Sequence, residues 1–547
     1  MPSAPSISVI VCSDGRAAAL ANLHAALAHQ HHDRFEIVYI IGPTEDGAWE
    51  AVERWAGQAP LKYGRCSERN LSMARNMGLA LAAGDLVAFI DDDALPEPEW
   101  LVQLSRMFAE PHIAGASGAV IDFTGVDYQF RFSAADRFGR SHHLDAPFED
   151  GAYPLSPLFP HAMGANCMFR REALSELGGF DEEYDYYLDE TDLCCRLIDE
   201  GWTIAQAADA PVHHKFLPSR LRDAQRVLIA KHPVLKNKLY YALVNNRGHA
   251  TMDEIMADAA AFFARHRADL EQYVARGQAP KLSLAEFDAD VEKAWRVGLA
   301  RGLSGERRLR VAADFAAPPP FAVFPTRTRA AAPRTFALLA GADSPREAEA
   351  HAFATALAGL GHDVHLILGG AEYEEVDLID GVWVRRRAMR YAPLSAPARA
   401  AGLNEPLWRI YANVDAELQR LAEFRRLDAV IDLSAQGLSI GALWRGAQNL
   451  IVHEVIGAGD AFFIERARKR AKAAYTGSRI TIMASHANGV LKDFCNKGLW
   501  LEQGRIVDFG PIDEVVERYE QQQARFPDGV IADFTAPSEE EIDFPVF

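Results

Sequence analysis

NLSMARNMGLALAAGDLVAFIDDDALPEPEWL, residues 70–101, is the stretch that decides the fold. Asn70 is a residue type that caps helices, and Gly84 is typical of a helix end, so the first part predicts a helix. Residues 86–90 are too short and too apolar for anything except a buried strand. Pro96 is then expected early in a new helix.

Three acids, Asp91, Asp92 and Asp93, follow the predicted buried strand. Carboxylates packed against an apolar strand repel one another, so they cost stability unless a cation lies between them. In open α/β sheets, ligands bind at the carboxyl ends of strands. Hard oxygen ligands suit Mg²⁺ or Mn²⁺, and these ions are commonly bound by protein carboxylates and substrate phosphates together. The alternative is a solvated acidic turn.

Composition limits the class of protein. The 547 residues suggest three or four domains, and 57 basic against 76 acidic residues give a net charge of −19, which argues against a general nucleic-acid surface. The sequence has no apolar run near the length of a membrane span and no signal-peptide pattern. We therefore expect a cytoplasmic protein, with contact at the inner face of the membrane left open.

Strands and helices alternate in the first part of the chain. This alternation predicts a parallel sheet with helices on its faces. The predicted strands are 7–12 and 35–41, and the predicted helices are 16–29 and 46–55. The loops after the strands end at the edge where Asp91 emerges, so a nucleotide can lie across them.

A second acidic group occupies residues 181–192, of which seven of twelve are Asp or Glu. Asp189 and Asp192 have the spacing of residues that satisfy the free amides of a helix start. Glu190 has no such duty and can take a proton from an attacking hydroxyl group. Capping and catalysis both remain open for this group.

Five motifs, in this order, resemble a family 2 glycosyltransferase of the GT-A fold. They are Asn70–Asn76, Asp91–Asp93, Gly164–Asn166, Gly178–Asp181 and Asp189–Leu193. The resemblance covers about residues 5–245. It implies an inverting transferase that uses a nucleotide-diphosphate sugar and a divalent metal, Mn²⁺ or Mg²⁺.

The resemblance also implies a metal site and a catalytic base. The implied metal ligands are Asp93, Asp91 and His214, with His213 close behind. Glu190 corresponds to the base, and Asp192 is the runner-up. The family usually has Glu-Asp where this chain has Asp189-Glu190.

Donor and acceptor contacts are implied in the same way. Asp91, Asp92 and Arg75 would contact the donor, and Asn166 would border the acceptor. The family often has two aspartates after the second strand that hold the nucleotide base. This chain has Gly-Pro-Thr-Glu-Asp at 42–46 in that place, which leaves Asp46 as a candidate.

The sequence predicts an α/β protein of six segments. These are a GT-A domain (1–225), a helical extension (226–315), a proline-rich linker (316–333), a Rossmann-like region similar to the acceptor half of a GT-B glycosyltransferase (334–449), a degenerate segment similar to the last part of a polysaccharide-export ABC ATPase (450–525), and an acidic tail (526–547).

The ATPase resemblance rests on His453-Glu454, Ser485-His486 and Leu499–Pro511. His453 replaces the metal-binding Asp, and the sequence contains no Gly-x-x-x-x-Gly-Lys-Ser/Thr loop, so ATP hydrolysis is not expected. We expect a docking or oligomerisation module. Arg466–Lys472 is expected to be a solvated helix face or a contact for acidic lipid.

Three functions are compatible with these patterns. The first is an active transferase that builds a surface polysaccharide or glycan on a glycan or lipid-linked acceptor. The second is a two-site enzyme, and the third is a noncatalytic scaffold of an export system. A scaffold need not keep Asp91, Asp93 and Glu190, so the sequence favours the first.

Overall fold

A computed structural model of the protein describes residues 4–148, 153–224, 227–229, 231–279, 282–342, 344–388, 405–433, 449–453, 480–484, 488–502 and 505–525. The chain folds as two units. The first contains Met1–Arg329 and Glu374–Trp383, and the second contains Ala330–Tyr373 and Val384–Phe547.

The first unit is built on a mixed sheet with a small antiparallel sheet beside it. Its strands, apart from one in residues 374–383, are β1 (Ile7–Ser13), β2 (Phe35–Ile41), β3 (Lys62–Arg65), β4 (Leu86–Asp91), β5 (Ala94–Pro96), β6 (Ile113–Ile121), β7 (Tyr128–Phe130), β8 (Phe132–Asp136), β9 (Ser141–Leu144), β10 (Leu158–Pro160), β11 (Asn166–Arg170) and β12 (Thr203–His214). The main sheet has the order β3-β2-β1-β4-β11-β6-β12-β5, with β7 on β6, and the small one has the order β10-β8-β9.

The first unit has nine α-helices in the described residues, of which the first six cover the two faces of the main sheet. The nine are α1 (Ala17–Ala28), α2 (Ala48–Ala56), α3 (Leu71–Leu81), α4 (Trp100–Arg106), α5 (Arg171–Glu176), α6 (Asp189–Asp199), α7 (His232–Asn245), α8 (Met252–Ala275) and α9 (Leu282–Ser304). Successive residues of β1 point to opposite faces of the sheet. Val9 therefore packs in one core with α1, while Ile10 packs in the other with α3 and α6.

The decisive stretch folds largely as its pattern predicts. Asn70 caps α3, accepting a hydrogen bond from the Met73 amide at 2.9 Å. The prediction for Pro96 is wrong, because Pro96 ends β5 and lies opposite Val212 of β12. The chain turns at the three aspartates to make this antiparallel pair, and the next helix begins only at Trp100.

The helices α7, α8 and α9 share a core of their own within the first unit, including Leu239 and Phe263. The described residues of the proline-rich stretch pack on the same unit up to residue 329. The Phe324 amide donates to the Phe35 carbonyl at 2.8 Å, and the Phe324 side chain is buried. The stretch is therefore anchored, although its composition suggests a free linker.

The second unit contains a sheet like that of a Rossmann fold. The strands that complete the chain are β13 (Thr335–Gly341), β14 (Asp363–Ala371), β15 (Glu375–Ile379), β16 (Val382–Ala388), β17 (Ala429–Asp432), β18 (Asn449–His453), β19 (Ile480–Ala484), β20 (Lys497–Glu502) and β21 (Arg505–Pro511). β15 lies in the residues assigned to the first unit. In the second unit the order is β16-β14-β13-β17-β18-β19, parallel from β14 to β19, and β20 and β21 form a hairpin.

The remaining helices are α10 (Pro345–Gly359), α11 (Glu405–Phe424), α12 (Asn488–Phe494) and α13 (Ile512–Arg525). The predicted boundary between segments 334–449 and 450–525 runs through β18, which continues the sheet of the preceding segment. Glu454, Ser485, His486, Arg466–Lys472 and the tail 526–547 lie outside the described residues. None of the helices in the described ranges combines the length and apolarity needed to cross a bilayer.

Candidate active site

A cleft of about 420 Å³ lies where β1 and β4 end. Its walls are the loops after these two strands, the start of α3, the approach to α6 and the residues that follow β12. The cleft therefore gathers the carboxyl ends of strands with the two acidic groups of the sequence.

The three aspartates after β4 have different surroundings. Asp92 is buried, accepts a hydrogen bond from Ser13 Oγ at 2.5 Å and pairs with Arg16. Asp93 is also buried and pairs with Arg16 Nη1 at 2.7 Å. The side chain of Asp91 is 36% exposed. One turn thus presents two anchored carboxylates and one that faces solvent.

The structure brings Asp91, Asp93 and His214 together. One ligand atom from each lies within 4.8 Å of the others. His214 Nε2 is 3.4 Å from Asp93 Oδ1 and 3.7 Å from Asp91 Oδ2. The chain brings these side chains together because the Asp turn connects β4 to β5, and β5 pairs with the end of β12.

The surroundings of this trio fit a divalent cation. Asp93 Oδ1 is buried and has no hydrogen bond of normal geometry among the described residues. Burial raises the pKa of Asp93, but His214 and Arg16 lower it to about 2, so this carboxylate is an anion at neutral pH. His214 Nδ1 lies 2.8 Å from Gln129 Oε1, an acceptor, which places the proton on Nδ1 and directs Nε2 towards the acids. Two carboxylates and an imidazole suit Mn²⁺ or Mg²⁺.

Arg16 is a site residue that the sequence reading missed. It stands just before α1 with a left-handed backbone (φ 70°), and its guanidinium group contacts both Asp92 and Asp93. The signal was available, because buried carboxylates require a nearby cation and Arg16 follows the end of β1 closely. Gln129, which orients His214, gave no comparable signal.

In the second acidic group, Asp189 and Glu190 both line the cleft at the start of α6, and Glu190 is the more exposed of the two. Asp189 is buried and forms an ion pair with Arg75. Glu190 has a side chain that is 17% exposed, and its Oε2 lies 3.9 Å from Arg75 Nη1. Because the arginine is held by Asp189, Glu190 is left with an accessible carboxylate.

The approach to α6 is strained. Tyr187 and Leu188 have φ of 77° and 67°, a left-handed conformation that costs non-glycine residues of order 1–3 kcal/mol each. Asn237 of α7 holds the segment by donating to the Tyr186 carbonyl at 2.6 Å. Tyr187 and Leu188 lead directly into α6, so their conformation fixes the direction in which Asp189 and Glu190 enter the helix. Neither Asp189 nor Asp192 caps it, contrary to the capping alternative.

Asp192, the predicted runner-up base, is fully buried on the other side of α6. It pairs with Arg196 Nε at 2.8 Å and with Arg307 Nη1 at 2.6 Å. Although burial opposes ionisation, these guanidinium groups lower the pKa of Asp192 from 3.8 to about 2. The structure therefore makes Asp192 a structural anion and corrects its proposed role as a base.

Asn166 is also corrected. It is fully buried and accepts a hydrogen bond from Trp100 Nε1 at 2.7 Å. Its amide nitrogen donates to the carbonyl oxygens of Ala119 and Ala210, both at 2.8 Å. These bonds join α4, β6 and β12, so Asn166 supports the sheet and does not line the cleft.

Asp46 and His213 also lie away from the cleft lining. Asp46 accepts hydrogen bonds from the amides of Ala17 and Ala48, at the starts of α1 and α2, which corrects its assignment as a donor contact. His213 Nε2 lies 2.7 Å from Glu97 Oε1 in a buried pair, so His214 alone joins the two aspartates.

Arg75 lines the cleft as predicted from the motif, but as a rigid element. It is buried, and although burial lowers its pKa, Asp189 and Glu190 together raise it, so the guanidinium group stays charged. Gly164 lies against it, since a Cβ at Gly164 would be 2.6 Å from Arg75 Nη2. Because residue 164 is glycine, the guanidinium group of Arg75 has room beside Glu190.

A family model matches the part of the chain that carries the Asp turn. Residues 8–178 match the model of Glycosyl transferase family 2. This range contains the Asp turn and ends before Glu190 and His214.

Three proteins illustrate the similarity. A glucosyl-dolichyl phosphate glucuronosyltransferase of Haloferax volcanii is 24% identical over 234 residues, 39% of this chain and 70% of that protein. An O-antigen export system ATP-binding protein, RfbE, of Yersinia enterocolitica is 30% identical over 106 residues, 18% of this chain and 44% of that protein. A mannosyltransferase of Pyrobaculum calidifontis, solved with GDP-Man and Mn²⁺, has a TM-score of 0.34 at 19% identity, covering 55% of this chain and 88% of that one, a likeness too low to transfer anything from it.

Proposed function

We propose that this chain, whose residues 8–178 form a family 2 glycosyl transferase domain, moves a sugar from a nucleotide-diphosphate donor to a hydroxyl group of an acceptor. The observation that carries the proposal is that the cleft holds a possible metal site and a separate accessible carboxylate. A trio of two carboxylates and an imidazole stands beside Arg16, and one carboxylate, Glu190, stands beside Arg75.

Glu190 is proposed as the general base. Its carboxylate takes the proton of the acceptor hydroxyl as that oxygen attacks the anomeric carbon. Attack opposite the leaving diphosphate inverts the configuration at that carbon. Asp189 holds Arg75, which keeps a fixed positive charge 3.9 Å from the Glu190 carboxylate.

Asp91, Asp93 and His214 would hold Mn²⁺ or Mg²⁺. When bound, the cation supplies positive charge that stabilises the leaving diphosphate. Arg16 keeps Asp93 ionised and fixed in the turn, and Gln129 keeps the imidazole oriented.

The acceptor is proposed to be a growing glycan or a lipid-linked sugar at the inner face of the membrane, in the synthesis of a surface polysaccharide. The similarity to a glucuronosyltransferase that acts on a dolichyl phosphate glucoside, by its name, supports this class of acceptor. The similarity to an export ATP-binding protein supports a noncatalytic role for the C-terminal half near an exporter. No specific observation favours the scaffold alone over the transferase.

The test is donor hydrolysis by the purified full chain with a panel of UDP-, GDP- and dTDP-sugars in Mn²⁺, Mg²⁺ or EDTA. We expect release of nucleotide diphosphate from one donor, and loss of that release with EDTA and in Asp93→Ala. The matched control is Glu176→Gln, an exposed acid of α5 outside the cleft, which should behave as wild type. Absence of both donor release and metal-dependent donor binding across the panel would refute the transferase and favour the scaffold.

A further inference from the structure

Residues 374–383 belong to the first unit, whereas the residues before and after them in the sequence belong to the second. We call these ten residues the insert segment. Val376 and Trp383 are each 1% exposed and share a small apolar core with Leu95 and Ala26. Leu95 is the central residue of β5, the strand that follows the Asp turn. The insert segment therefore packs directly behind the candidate metal site.

A second contact is ionic. Lys215 Nζ lies 3.2 Å from Glu375 Oε1 and 3.3 Å from Asp377 Oδ2, and the Lys215 side chain is only 14% exposed. The backbone of Lys215 donates a hydrogen bond to the Asp93 carbonyl at 2.9 Å. One residue thus ties the insert segment to the end of β12 and to the Asp turn.

The segment also contacts the neighbours of His214 on other sides. The ring of Trp383 lies 6.1 Å from that of His213. Val376 fills the space beside Gly125, where a Cβ would come within 2.3 Å of Val376 Cγ2. Gly125 belongs to the turn before β7, and β7 carries Gln129, which fixes the His214 ring. The insert segment therefore contacts both chain neighbours of His214, namely His213 and Lys215. It also contacts Gly125, four residues before Gln129, the hydrogen-bond partner of His214.

We propose that the insert segment positions His214, and that the ion pairs of Lys215 with Glu375 and Asp377 are its main determinants. These are positioning residues, since they act through the backbone of β12 and the Asp turn. The expected effect on metal binding rests on the proposed function. The expected ordering of the end of β12 rests only on the contacts described above.

The experiment uses the full chain and three variants that remove, reverse or exchange the charges of the Lys215 ion pairs. The first variant, Glu375→Gln with Asp377→Asn, removes the two charges at nearly constant shape. The second, Lys215→Glu, reverses the cation. The third, called the mirrored variant, combines Lys215→Glu with Glu375→Lys and Asp377→Lys and restores opposite charges. Glu372→Gln, an exposed acid nearby, is the matched control.

Mn²⁺ binding, followed by the electron paramagnetic resonance signal of free Mn²⁺, is the main readout and needs no turnover. Residues that orient metal ligands commonly change metal affinity by about 10–100-fold. We expect about tenfold weaker binding in the first variant, weaker binding still in Lys215→Glu, and recovery in the mirrored variant. Amide exchange of residues 210–216 should be faster in the first two variants and restored in the third.

Unchanged Mn²⁺ affinity and unchanged exchange in the first two variants would overturn the inference. Weaker binding that the mirrored variant does not restore would also overturn it, because charge would then not be the cause. If the wild type binds no Mn²⁺, the metal-dependent function fails, and the exchange measurement alone decides whether the segment orders the end of β12.

Discussion

The acids at 91–93 and those at 189–192 are both held by arginines, yet they leave different groups available. In the first group, Arg16 takes Asp92 and one oxygen of Asp93, and the remaining oxygens gather around His214. In the second, arginines take both aspartates and leave Glu190. The difference indicates that the arginine partners, more than the acids themselves, decide which carboxylates can do chemistry.

The strongest test of this contrast is Glu190→Gln. Loss of a general base costs about 10²–10⁴-fold in rate, so we expect kcat to fall by that factor with little change in donor KM. Glu190 is partly exposed, and its ion pair with Arg75 is long at 3.9 Å, so the unfolding midpoint should stay near that of the wild type. A variant with full kcat would break the assignment, and Glu190→Asp should retain part of the rate if the assignment holds.

Asp192→Asn should show the opposite pattern. The substitution removes the buried ion pairs with Arg307 and Arg196, and removing one partner of a buried pair typically costs about 3–5 kcal/mol. Urea unfolding should show a large loss of stability, and the protein that remains folded should keep its kcat. A variant that is stable but inactive would instead make Asp192 the base.

In the wild type, acid should remove the stabilisation that comes from the ion pairs of Asp192. The pKa of Asp192 is about 2 in the folded protein against an ordinary 3.8, so its contribution is complete above 3.8 and disappears as the pH falls from 3.8 through 2. The shift corresponds to about 2 kcal/mol at 1.36 kcal/mol per pH unit. Unfolding midpoints measured from pH 5 to pH 2 should fall less steeply in Asp192→Asn, and parallel curves would contradict this.

Gly164→Ala should have the smallest effect, and it sharpens the role of Arg75. The added Cβ would lie 2.6 Å from Arg75 Nη2 and 3.4 Å from Glu190 Cδ, so the guanidinium group must shift. Overpacking of this kind costs about 1–3 kcal/mol, and we expect kcat/KM to fall about tenfold with the fold retained. Gly359→Ala, where a Cβ meets nothing within 4 Å, is the control. Equal activity in both variants would mean that Arg75 need not be fixed.

The parts of the fold that sequence could predict depend on neighbours along the chain. The apolar strand 86–91, the cap at Asn70 and the acids at a strand end all follow from local pattern and known strand geometry. Pro96 failed as a helix start because β5 pairs with β12, more than 100 residues later, and no local signal encodes that pairing.

The site was harder to predict, because partner choice is a long-range property. Asp192 looked like Glu190 in the sequence, but Asp192 pairs with Arg196 and with Arg307, the second of which lies 115 residues away. Asn166 stands in a motif typical of a substrate contact, yet Trp100 and two carbonyl groups occupy its polar atoms. The insert segment could not be placed at all, since its sequence neighbours lie in the other unit.

The anchoring of residues 307–324 has a consequence for how the catalytic fragment can be cut. The family match ends at 178, but Arg307 neutralises the buried Asp192, and Phe324 is buried against the first sheet. A fragment that stops at the family boundary, or at any point before Arg307, would expose apolar core and leave buried carboxylates without their cation. A fragment that keeps these late contacts must run at least to residue 324, which makes it nearly twice as long as the region that matches the family.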